Sequence, residues 1–495
     1  MKLKPKGSFI LILLFMPFSS FAQGENETVA KFYSEQKELG KPIWNYVFED
    51  FPGFYSQLPD AFEKKVDSLR AIYKEHLESF SGSLSDSLYQ QEKAAIKLAF
   101  DKLLLEYEIH HPIYADDTST LSESTLNYLI DNKNFFNDPF YLENKDVQAY
   151  LSALVDLEAS RLVETEVNTS DNKYLNARWR IIREVYKDPE KRENIQFNTL
   201  IKHIENLGVK NLQPYISEFI DTAQSKELVD RIVEVYDQEL NNYQDHTRLS
   251  YKTVDGLDLD LHVFPPENNQ RNAPVIVYFH GGSWSEGKPD WFFESARSYA
   301  SKGWFAVAVE YRIKERHNTL PFEAVKDAKS AIRFLRENAE ELNIDQDKIV
   351  VTGNSAGGHL ALSTALIDTL NDVTDDLNIS ASPNAIMVNA AVYDLTVDNS
   401  KWIVKDFENK EIVKSISPNH NRKKIEAPIL MIHGENDQNC AYSTAEYFYQ
   451  EMKKIGNNIE LVSIPKAGHF IWFGRFAGSV YPRQEEFLHK LYFTE

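Results

Sequence analysis

The second half of the chain contains short, nearly unbroken runs of apolar residues, and these runs constrain the fold more than any other feature of the sequence. A strand with one solvated face alternates apolar and polar residues, whereas an unbroken run is what a strand buried on both faces requires. Helical patterns at residues 321–342 and 444–455 lie between such runs. Strands that alternate with helices form a mostly parallel sheet covered on both faces, so we predict an α/β fold. The runs are residues 275–279, 304–309, 348–352, 385–389, 429–432 and 460–464.

A change in hydrophobic period near Arg248 separates two regions of the chain. Downstream of it, residues 251–254 and 257–264 alternate apolar and polar side chains on either side of Asp255-Gly256. Asp-Gly between two alternating runs is a strong signal for a β-hairpin with a two-residue loop. The chain is therefore expected to pass from helices to strands at this point.

The region upstream, from residue 24 to about 245, has apolar residues at three- and four-residue spacing with charges between them, which is typical of amphipathic helices. A chain of 495 residues is too long for one ordinary core. We therefore predict an all-α domain of unknown role over residues 23–245 and an α/β domain over residues 246–495. The helical segments are 61–80, 87–107, 146–163, 176–186 and 225–243, and Pro112, Pro139 and Pro189 separate segments.

The first 22 residues have the pattern of a signal peptide. A lysine-rich start precedes an apolar middle at residues 9–18 and a small-x-small cleavage site at residues 20–22. We expect cleavage near Ala22 and export to the periplasm or beyond the cell. The apolar middle is too short to span a membrane and no later stretch is long enough, so we expect no membrane span.

Charge and cysteine content exclude some partners. The net charge of −21 argues against nucleic acid or an anionic membrane surface as a binding partner. The single cysteine, Cys440, has no second cysteine for an internal disulfide, and we expect it to be a small buried apolar residue.

One apolar run is followed directly by a motif that carries a potentially reactive serine. Residues 348–352 lead into Gly353-Asn354-Ser355-Ala356-Gly357, and a helix-forming run follows. Gly-x-Ser-x-Gly between a strand and a helix predicts a nucleophile elbow, in which a serine is exposed at the tip of a sharp turn. The flanking residues must be small so that the strand and the helix can approach each other. Ser355 is therefore the candidate nucleophile.

A serine hydroxyl needs a base to remove its proton and an acid to orient that base. His469 follows the last apolar run, and we predict it to be the base. Asp437 follows the run at residues 429–432 and is the predicted acid, with Glu435 as the alternative. Each lies after a predicted strand, and ligand sites of such sheets lie at the carboxyl ends of the strands.

Backbone N–H groups are needed to stabilise the oxyanion of an acyl-transfer intermediate. His280-Gly281-Gly282-Ser283-Trp284 follows a strand, and we predict that the N–H groups of Gly281 and Gly282 act with that of Ala356. His280 is expected to hold this loop. Aromatic residues near these motifs are candidates for substrate contact, and we select Trp284 and Trp472. No metal or organic cofactor is implied by these motifs.

From about residue 250 to its end, the chain resembles α/β-hydrolase-fold esterases. It is similar to the branch with His-Gly-Gly-x-Trp and Gly-x-Ser-Ala-Gly-Gly motifs, which includes carboxylesterases, feruloyl and acetylxylan esterases and kynurenine formamidases. Glu310-Tyr311-Arg312 and the order Ser355, Asp437, His469 also match. The resemblance implies an α/β-hydrolase fold preceded by the all-α domain. Ser283 replaces a glycine of many lipase-like relatives, and Cys440 takes a position usually held by valine.

The expected function is hydrolysis of carboxylic esters by a Ser-His-Asp acyl-enzyme mechanism. The expected partner is a small-molecule or carbohydrate ester, with acetyl or feruloyl esters of polysaccharides as candidates, and the oligomeric state is left open. Two alternatives remain: a serine peptidase of the prolyl-oligopeptidase kind, and a non-catalytic binding protein that keeps a decayed hydrolase domain.

Overall fold

A computed structural model describes residues 27–115, 119–131, 145–165, 171–186, 189–268, 270–397, 403 and 410–492. The predicted signal peptide and Pro139 lie outside these residues. The chain divides into two compact units, each described separately below. The first unit is Met1–Glu166, Asn176–Glu205 and Pro214–Ile232, and the second is Val167–Leu175, Asn206–Gln213 and Val233–Glu495.

All regular structure described before residue 247 is helical, which confirms the predicted all-α character of this region. The core of the first unit is rich in aromatic side chains, among them Phe54, Tyr55, Phe62 and Tyr107, which are at most 1% exposed. The helices are α1 (Glu27–Glu49), α2 (Phe51–Tyr55), α3 (Pro59–Ser79), α4 (Asp86–Tyr114), α5 (Glu123–Asp131), α6 (Lys145–Thr165), α7 (Lys173–Val185), α8 (Pro189–Leu207), α9 (Gln213–Thr222) and α10 (Lys226–Asn242).

The ends of these helices follow local sequence signals, with one exception. The side chain of Ser85 caps α4 by accepting a hydrogen bond from the N–H of Leu88 at 3.3 Å. Pro189 begins α8, a position that requires no N–H donor. Pro112 was predicted to separate helices, and this prediction is wrong because Pro112 lies inside α4. It occupies the last turn, where a proline removes a hydrogen bond but interrupts little helix beyond it.

The second unit is built on one eight-stranded sheet with the order β1-β2-β4-β3-β5-β6-β7-β8. β1, β2 and β4 pair antiparallel, and every pair from β4 to β8 is parallel. The predicted mostly parallel α/β sheet is therefore confirmed. The strands are β1 (Thr247–Val254), β2 (Leu257–Phe264), β3 (Ala273–Phe279), β4 (Phe305–Val309), β5 (Ile344–Asn354), β6 (Ala385–Asn389), β7 (Ile429–Gly434) and β8 (Ile459–Ile464).

The central strands are buried on both faces, as their apolar runs require. In β3, Val275 and Val277 join one hydrophobic cluster, whereas Ile276 and Tyr278 join another. Because successive side chains of a strand point to opposite faces, the two clusters are the cores on the two sides of the sheet. The apolar runs therefore place the sheet in the middle of this unit.

Helices of the second unit follow most of the strands. The predicted pattern over residues 321–342 is divided at Asn338 into two helices. None of the helices described in either unit is both long and apolar enough to cross a membrane. The helices are α11 (Phe293–Ser301), α12 (Lys314–His317), α13 (Pro321–Glu337), α14 (Ala339–Leu342), α15 (Ala356–Leu366), α16 (Tyr442–Lys454) and α17 (Ala477–Tyr492).

Segments upstream of residue 246 contribute to the second unit, so its contacts extend beyond the predicted boundary. The guanidinium of Arg316 contacts both carboxylate oxygens of Asp171, with Nε at 3.1 Å from Oδ1 and Nη2 at 2.5 Å from Oδ2. Both side chains are at most 8% exposed. Burial opposes ionisation of Asp171, but the charge and hydrogen bonds of Arg316 lower the pKa of Asp171 to about 2.

This ion pair predicts an acid-sensitive contribution to stability. The folded pKa of Asp171 lies below its ordinary value of 3.8, so its contribution is present above about pH 4 and is lost as the pH falls towards 2. We expect Asp171→Asn to lower the free energy of unfolding by about 2 kcal/mol at pH 7, with a smaller effect below pH 4. Denaturant unfolding at several pH values measures this difference.

A matched control is Glu486→Gln in α17, where Arg483 and Glu486 are 54% and 46% exposed. Exposed pairs contribute little, so the control should unfold like the wild type. An Asp171→Asn variant as stable as the wild type at pH 7 would contradict the assignment.

Candidate active site

Ser355 lies at the turn between β5 and α15, where the strand, turn and helix were predicted. Its backbone has φ 55° and ψ −121°, an unusual conformation for a residue with a side chain. Two hydrogen bonds fix the turn: the N–H of Ser355 donates to the carbonyl of Asn389 at 3.0 Å, and the N–H of His359 donates to the carbonyl of Ser355 at 3.0 Å. The serine is thus held at the carboxyl end of the central strand.

The glycines of the elbow are required by close backbone packing. A Cβ on Gly357 would lie 1.9 Å from the carbonyl oxygen of Phe279, and one on Gly353 would lie 2.6 Å from the same atom. Phe279 is the last residue of β3, the neighbour of β5 in the sheet. The absence of side chains at these positions therefore lets α15 begin directly against two strands.

Asp437 and His469 lie together after β7 and β8, as predicted. Nδ1 of His469 is 2.8 Å from Oδ2 of Asp437. The other oxygen, Oδ1, accepts hydrogen bonds from the backbone N–H groups of Asn439 at 2.9 Å and Cys440 at 2.8 Å. The carboxylate is thus positioned by the loop and orients the imidazole, which is the arrangement expected for the acid and base of a serine hydrolase.

The environment of Asp437 keeps its carboxylate ionised. Burial alone would raise the pKa of Asp437, but hydrogen bonds from His433 and His469, the charge of His469 and the N–H of Cys440 hold this pKa well below its usual range. An ionised acid stabilises the positive imidazole that forms when the base takes a proton.

The predicted oxyanion loop lies against the elbow. A Cβ placed on Gly281 would be 3.5 Å from Cβ of Ser355 and 3.1 Å from the carbonyl oxygen of Asn354. Ala356 is the first residue of α15, and the first N–H groups of a helix have no acceptor within it. The sheet therefore brings the Gly281 loop and the amino end of α15 to the same serine.

Backbone contacts hold this loop in a strained shape. Gly282, Ser283 and Trp284 all have positive φ, at 102°, 55° and 56°. Its turn is closed by the N–H of Glu286, which donates to the carbonyl of Gly282 at 3.0 Å. The N–H of Lys314 donates to the carbonyl of Trp284 at 3.0 Å. A loop fixed from several sides can hold its N–H groups ready for a developing charge.

His280 supports the loop, in agreement with its predicted role. It is 2% exposed and stacks on Tyr311 with 4.2 Å between ring centroids. Its Nδ1 lies 2.8 Å from the carbonyl oxygen of Gly281, and the hydroxyl of Tyr311 donates to the carbonyl of His280 at 2.7 Å. Burial lowers the pKa of His280 to about 4, so the ring is neutral near pH 7.

The two tryptophans selected as substrate contacts have different surroundings. Trp284 is 3% exposed and packs edge-on against His359 in the core, so it offers no open ring face for a substrate to stack on. Trp284 was selected because it follows the oxyanion strand in the His-Gly-Gly-Ser-Trp motif, and the structure places its side chain in the core. Trp472 is half-buried and lies 5.6 Å from His469 between ring centroids.

Two exposed phenylalanines extend the surface beside His469. Phe470 is 45% exposed and lies 5.6 Å from the Trp472 ring, and Phe473 is 52% exposed and lies 5.9 Å from it. We define Phe470, Trp472 and Phe473 as the aromatic surface. Three aromatic residues within five positions of His469 were the sequence signal for this surface.

One group of three possible metal ligands occurs among the described residues. Single ligand atoms of Asp437, Cys440 and His469 all lie within 4.8 Å of one another. Two of the three are the predicted acid and base, which are hydrogen-bonded to each other. These two side chains already share a hydrogen bond, and Cys440 is a buried neighbour of the pair.

Comparisons with known proteins show similarity to esterases. The family model BD-FAE matches residues 259–452. Carboxylesterase NlhH of Mycobacterium tuberculosis is 40% identical over 119 residues, which is 23% of this chain and 36% of the relative. Esterase LipQ of the same organism is 28% identical over 228 residues, covering 43% of this chain and 53% of LipQ. The chain thus spans about a third to a half of the length of these curated relatives.

Among solved structures, the native esterase Est2 of the planctomycete Thermogutta terrifontis is 32% identical. The match covers 51% of this chain and 94% of that protein, with a TM-score of 0.47. The sheet, the elbow and the sequence similarities to BD-FAE, NlhH and LipQ make the second unit an α/β hydrolase. More particularly, it belongs to the α/β-hydrolase-fold serine esterases.

The close contact at the elbow predicts that Gly357 tolerates no side chain. Gly357→Ala places a methyl group against the carbonyl of Phe279, so the helix and strand must separate. We expect a loss of about 3 kcal/mol in stability and a large loss of esterase activity. Thermal unfolding and initial rates on a simple ester measure both effects.

Gly478→Ala is the matched control, because a Cβ at Gly478 in α17 meets no atom within 4 Å. It should unfold at or above the wild-type temperature. Equal stability and activity of both variants would refute the packing argument.

Proposed function

We propose that the second unit hydrolyses carboxylic esters through an acyl-enzyme intermediate on Ser355. One observation carries this proposal: the hydrogen-bonded pair Asp437–His469 lies at the carboxyl edge of the sheet whose central strand leads directly into the strained Ser355. A serine at an elbow, an oriented imidazole and an ionised acid are the parts that nucleophilic acyl transfer requires. The esterase relatives support the same reaction class.

The hydrogen bond between His469 and Asp437 determines which nitrogen of His469 can accept a proton during the reaction. Nδ1 of His469 is bonded to Asp437, so Nε2 is left to take the proton of Ser355 Oγ as that oxygen attacks the ester carbonyl. The N–H groups of Gly281, Gly282 and Ala356 stabilise the resulting oxyanion, at about 3 kcal/mol for each donor. His469 then returns the proton to the leaving alcohol. Water, deprotonated by His469, then attacks the carbonyl of the acyl-enzyme and releases the carboxylic acid product. His469 returns the proton to Ser355 Oγ.

The aromatic surface supports a more specific substrate. Trp472 and its exposed neighbours offer apolar faces beside the base, where an aryl ring or a sugar can stack. We therefore propose acetyl or feruloyl esters of polysaccharides as substrates. Export directed by residues 1–22 would bring the enzyme to such polymers, which lie outside the cell.

The alternatives have less support. Prolyl-oligopeptidase-like peptidases carry a β-propeller before the hydrolase domain, whereas all regular structure described between residues 27 and 246 is helical. A decayed, non-catalytic domain would have no reason to keep the strained serine together with a bonded Asp437–His469 pair.

The nucleophile assignment predicts the effect of Ser355→Ala. Loss of the attacking oxygen should lower kcat/KM on p-nitrophenyl acetate by about 10⁴-fold or more, with unchanged thermal unfolding. Ser301→Ala, which removes a hydroxyl from the end of α11, should be as active as the wild type. Full activity of the Ser355→Ala variant would reject the proposed function.

The substrate assignment predicts a selective effect of Trp472→Ala. KM for feruloylated or acetylated oligosaccharides should rise about 3- to 10-fold, because a stacking face is lost, whereas KM for ethyl acetate should change little. Tyr447→Ala is the control, since Tyr447 is a 50% exposed aromatic residue of α16. Equal changes on both classes of ester, or no cleavage of glycan esters by the wild type, would count against polysaccharide substrates.

A further inference from the structure

A second histidine contacts the carboxylate of Asp437. His433 lies in β7, and its side chain is fully buried. Its Nε2 is 2.9 Å from the carbonyl oxygen of Cys440 and 3.3 Å from Oδ2 of Asp437. Oδ2 is also the oxygen that accepts the hydrogen bond from Nδ1 of His469 at 2.8 Å. One carboxylate oxygen therefore faces two imidazole rings.

The neighbours of His433 define its tautomer. A carbonyl oxygen and an ionised carboxylate oxygen only accept hydrogen bonds, so Nε2 of His433 must carry the hydrogen. Nδ1 of His433 is buried and has no hydrogen-bond partner among the residues that the structure describes. A second hydrogen at that nitrogen would be a buried donor without an acceptor, so the neutral ring with hydrogen on Nε2 fits this place. The single N–H of His433 therefore bonds to the carbonyl of Cys440 at 2.9 Å and also lies 3.3 Å from Oδ2 of Asp437, where it faces the carboxylate as a partial donor.

Packing leaves the His433 ring little freedom. Tyr393 and Tyr442 lie against it, with centroid distances of 5.8 and 6.0 Å. The next residue, Gly434, is in close contact with the loop of His469, since a Cβ there would lie 2.4 Å from the carbonyl oxygen of Gly468. The end of β7 therefore fixes the donor to Asp437 and also supports the loop that carries the base.

Because His433 and His469 both face Oδ2 of Asp437, a change in one of these contacts alters the other. The N–H of His433 restrains rotation of the Asp437 side chain and takes up part of the negative charge on Oδ2. Without it, the remaining hydrogen bonds of the carboxylate among the described residues are those of Asn439 and Cys440 to Oδ1 and the one from His469, the base that Oδ2 itself has to orient. The Asp437 side chain can then rotate more freely relative to His469, and the negative charge on Oδ2 acts on His469 alone.

We propose that His433 is a positioning residue of the esterase reaction, which fixes Oδ2 of Asp437 so that the acid holds His469 in the orientation and tautomer the reaction needs. This inference rests on the proposed function, because it requires His469 to be the base. His433 touches neither substrate nor Ser355 in this account.

Two substitutions separate this role from simple packing. His433→Leu fills a similar space without a donor, whereas the side-chain amide of His433→Gln places an N–H group near the position of Nε2. For the leucine variant we expect kcat/KM, per fluorophosphonate-titrated active site, to fall about 10- to 100-fold through kcat. The acid limb of its pH–rate profile should move to higher pH, because the full charge of Asp437 then stabilises the protonated base. His433→Gln should restore both properties towards the wild type.

The outcomes are distinguishable. If both variants unfold at lower temperature but keep the wild-type kcat/KM and pH profile, His433 is only a packing residue and the proposal is overturned. If His433→Leu does not fold, His433→Asn replaces it: its shorter amide should give the slow, shifted profile, and a wild-type profile again overturns the proposal. An inactive wild type, or an active Ser355→Ala variant, would instead refute the proposed function itself.

Discussion

The close approach of three backbone segments at the nucleophile elbow is the constraint on which the site depends. Gly357 leaves no room for a side chain against the carbonyl of Phe279, and Ser355 is held at φ 55°. A conformation of this kind costs about 1–3 kcal/mol and persists only where the surroundings fix it. The buried sheet provides that fixation, since β3 and β5 are covered on both faces. The core therefore maintains the strained, partly buried serine.

The second requirement is a buried, ionised carboxylate, and the sheet edge satisfies it with hydrogen bonds. Asp437 loses water on burial, which opposes its charge, and donors from the loop after β7 and from two histidines compensate. Because the strands are parallel, their carboxyl ends bring this acid, the base and the serine to one edge. The same topology explains why residues far apart in the sequence form one site.

Sequence patterns predicted the parts of this protein that depend on local order. Buried strands, the helix periods, the elbow and the segments that carry Asp437 and His469 all follow from short-range signals. The patterns failed where packing over distance decides. Pro112 was expected to separate helices but occupies the last turn of α4, and Trp284 was selected as a substrate contact but is buried in the core. The donor role of His433 depends on partners that only the folded loop brings together.

The most direct test of the account is covalent labelling of the nucleophile. The full-length protein is labelled with a fluorophosphonate at pH 7.5 and, in parallel, at pH 4.5, where an ordinary imidazole is protonated, and is then digested and mapped by mass spectrometry. The account predicts a single adduct on the peptide that contains Ser355, formed rapidly at pH 7.5 and slowly at pH 4.5. An adduct on another serine, or none while ester hydrolysis proceeds, would contradict it.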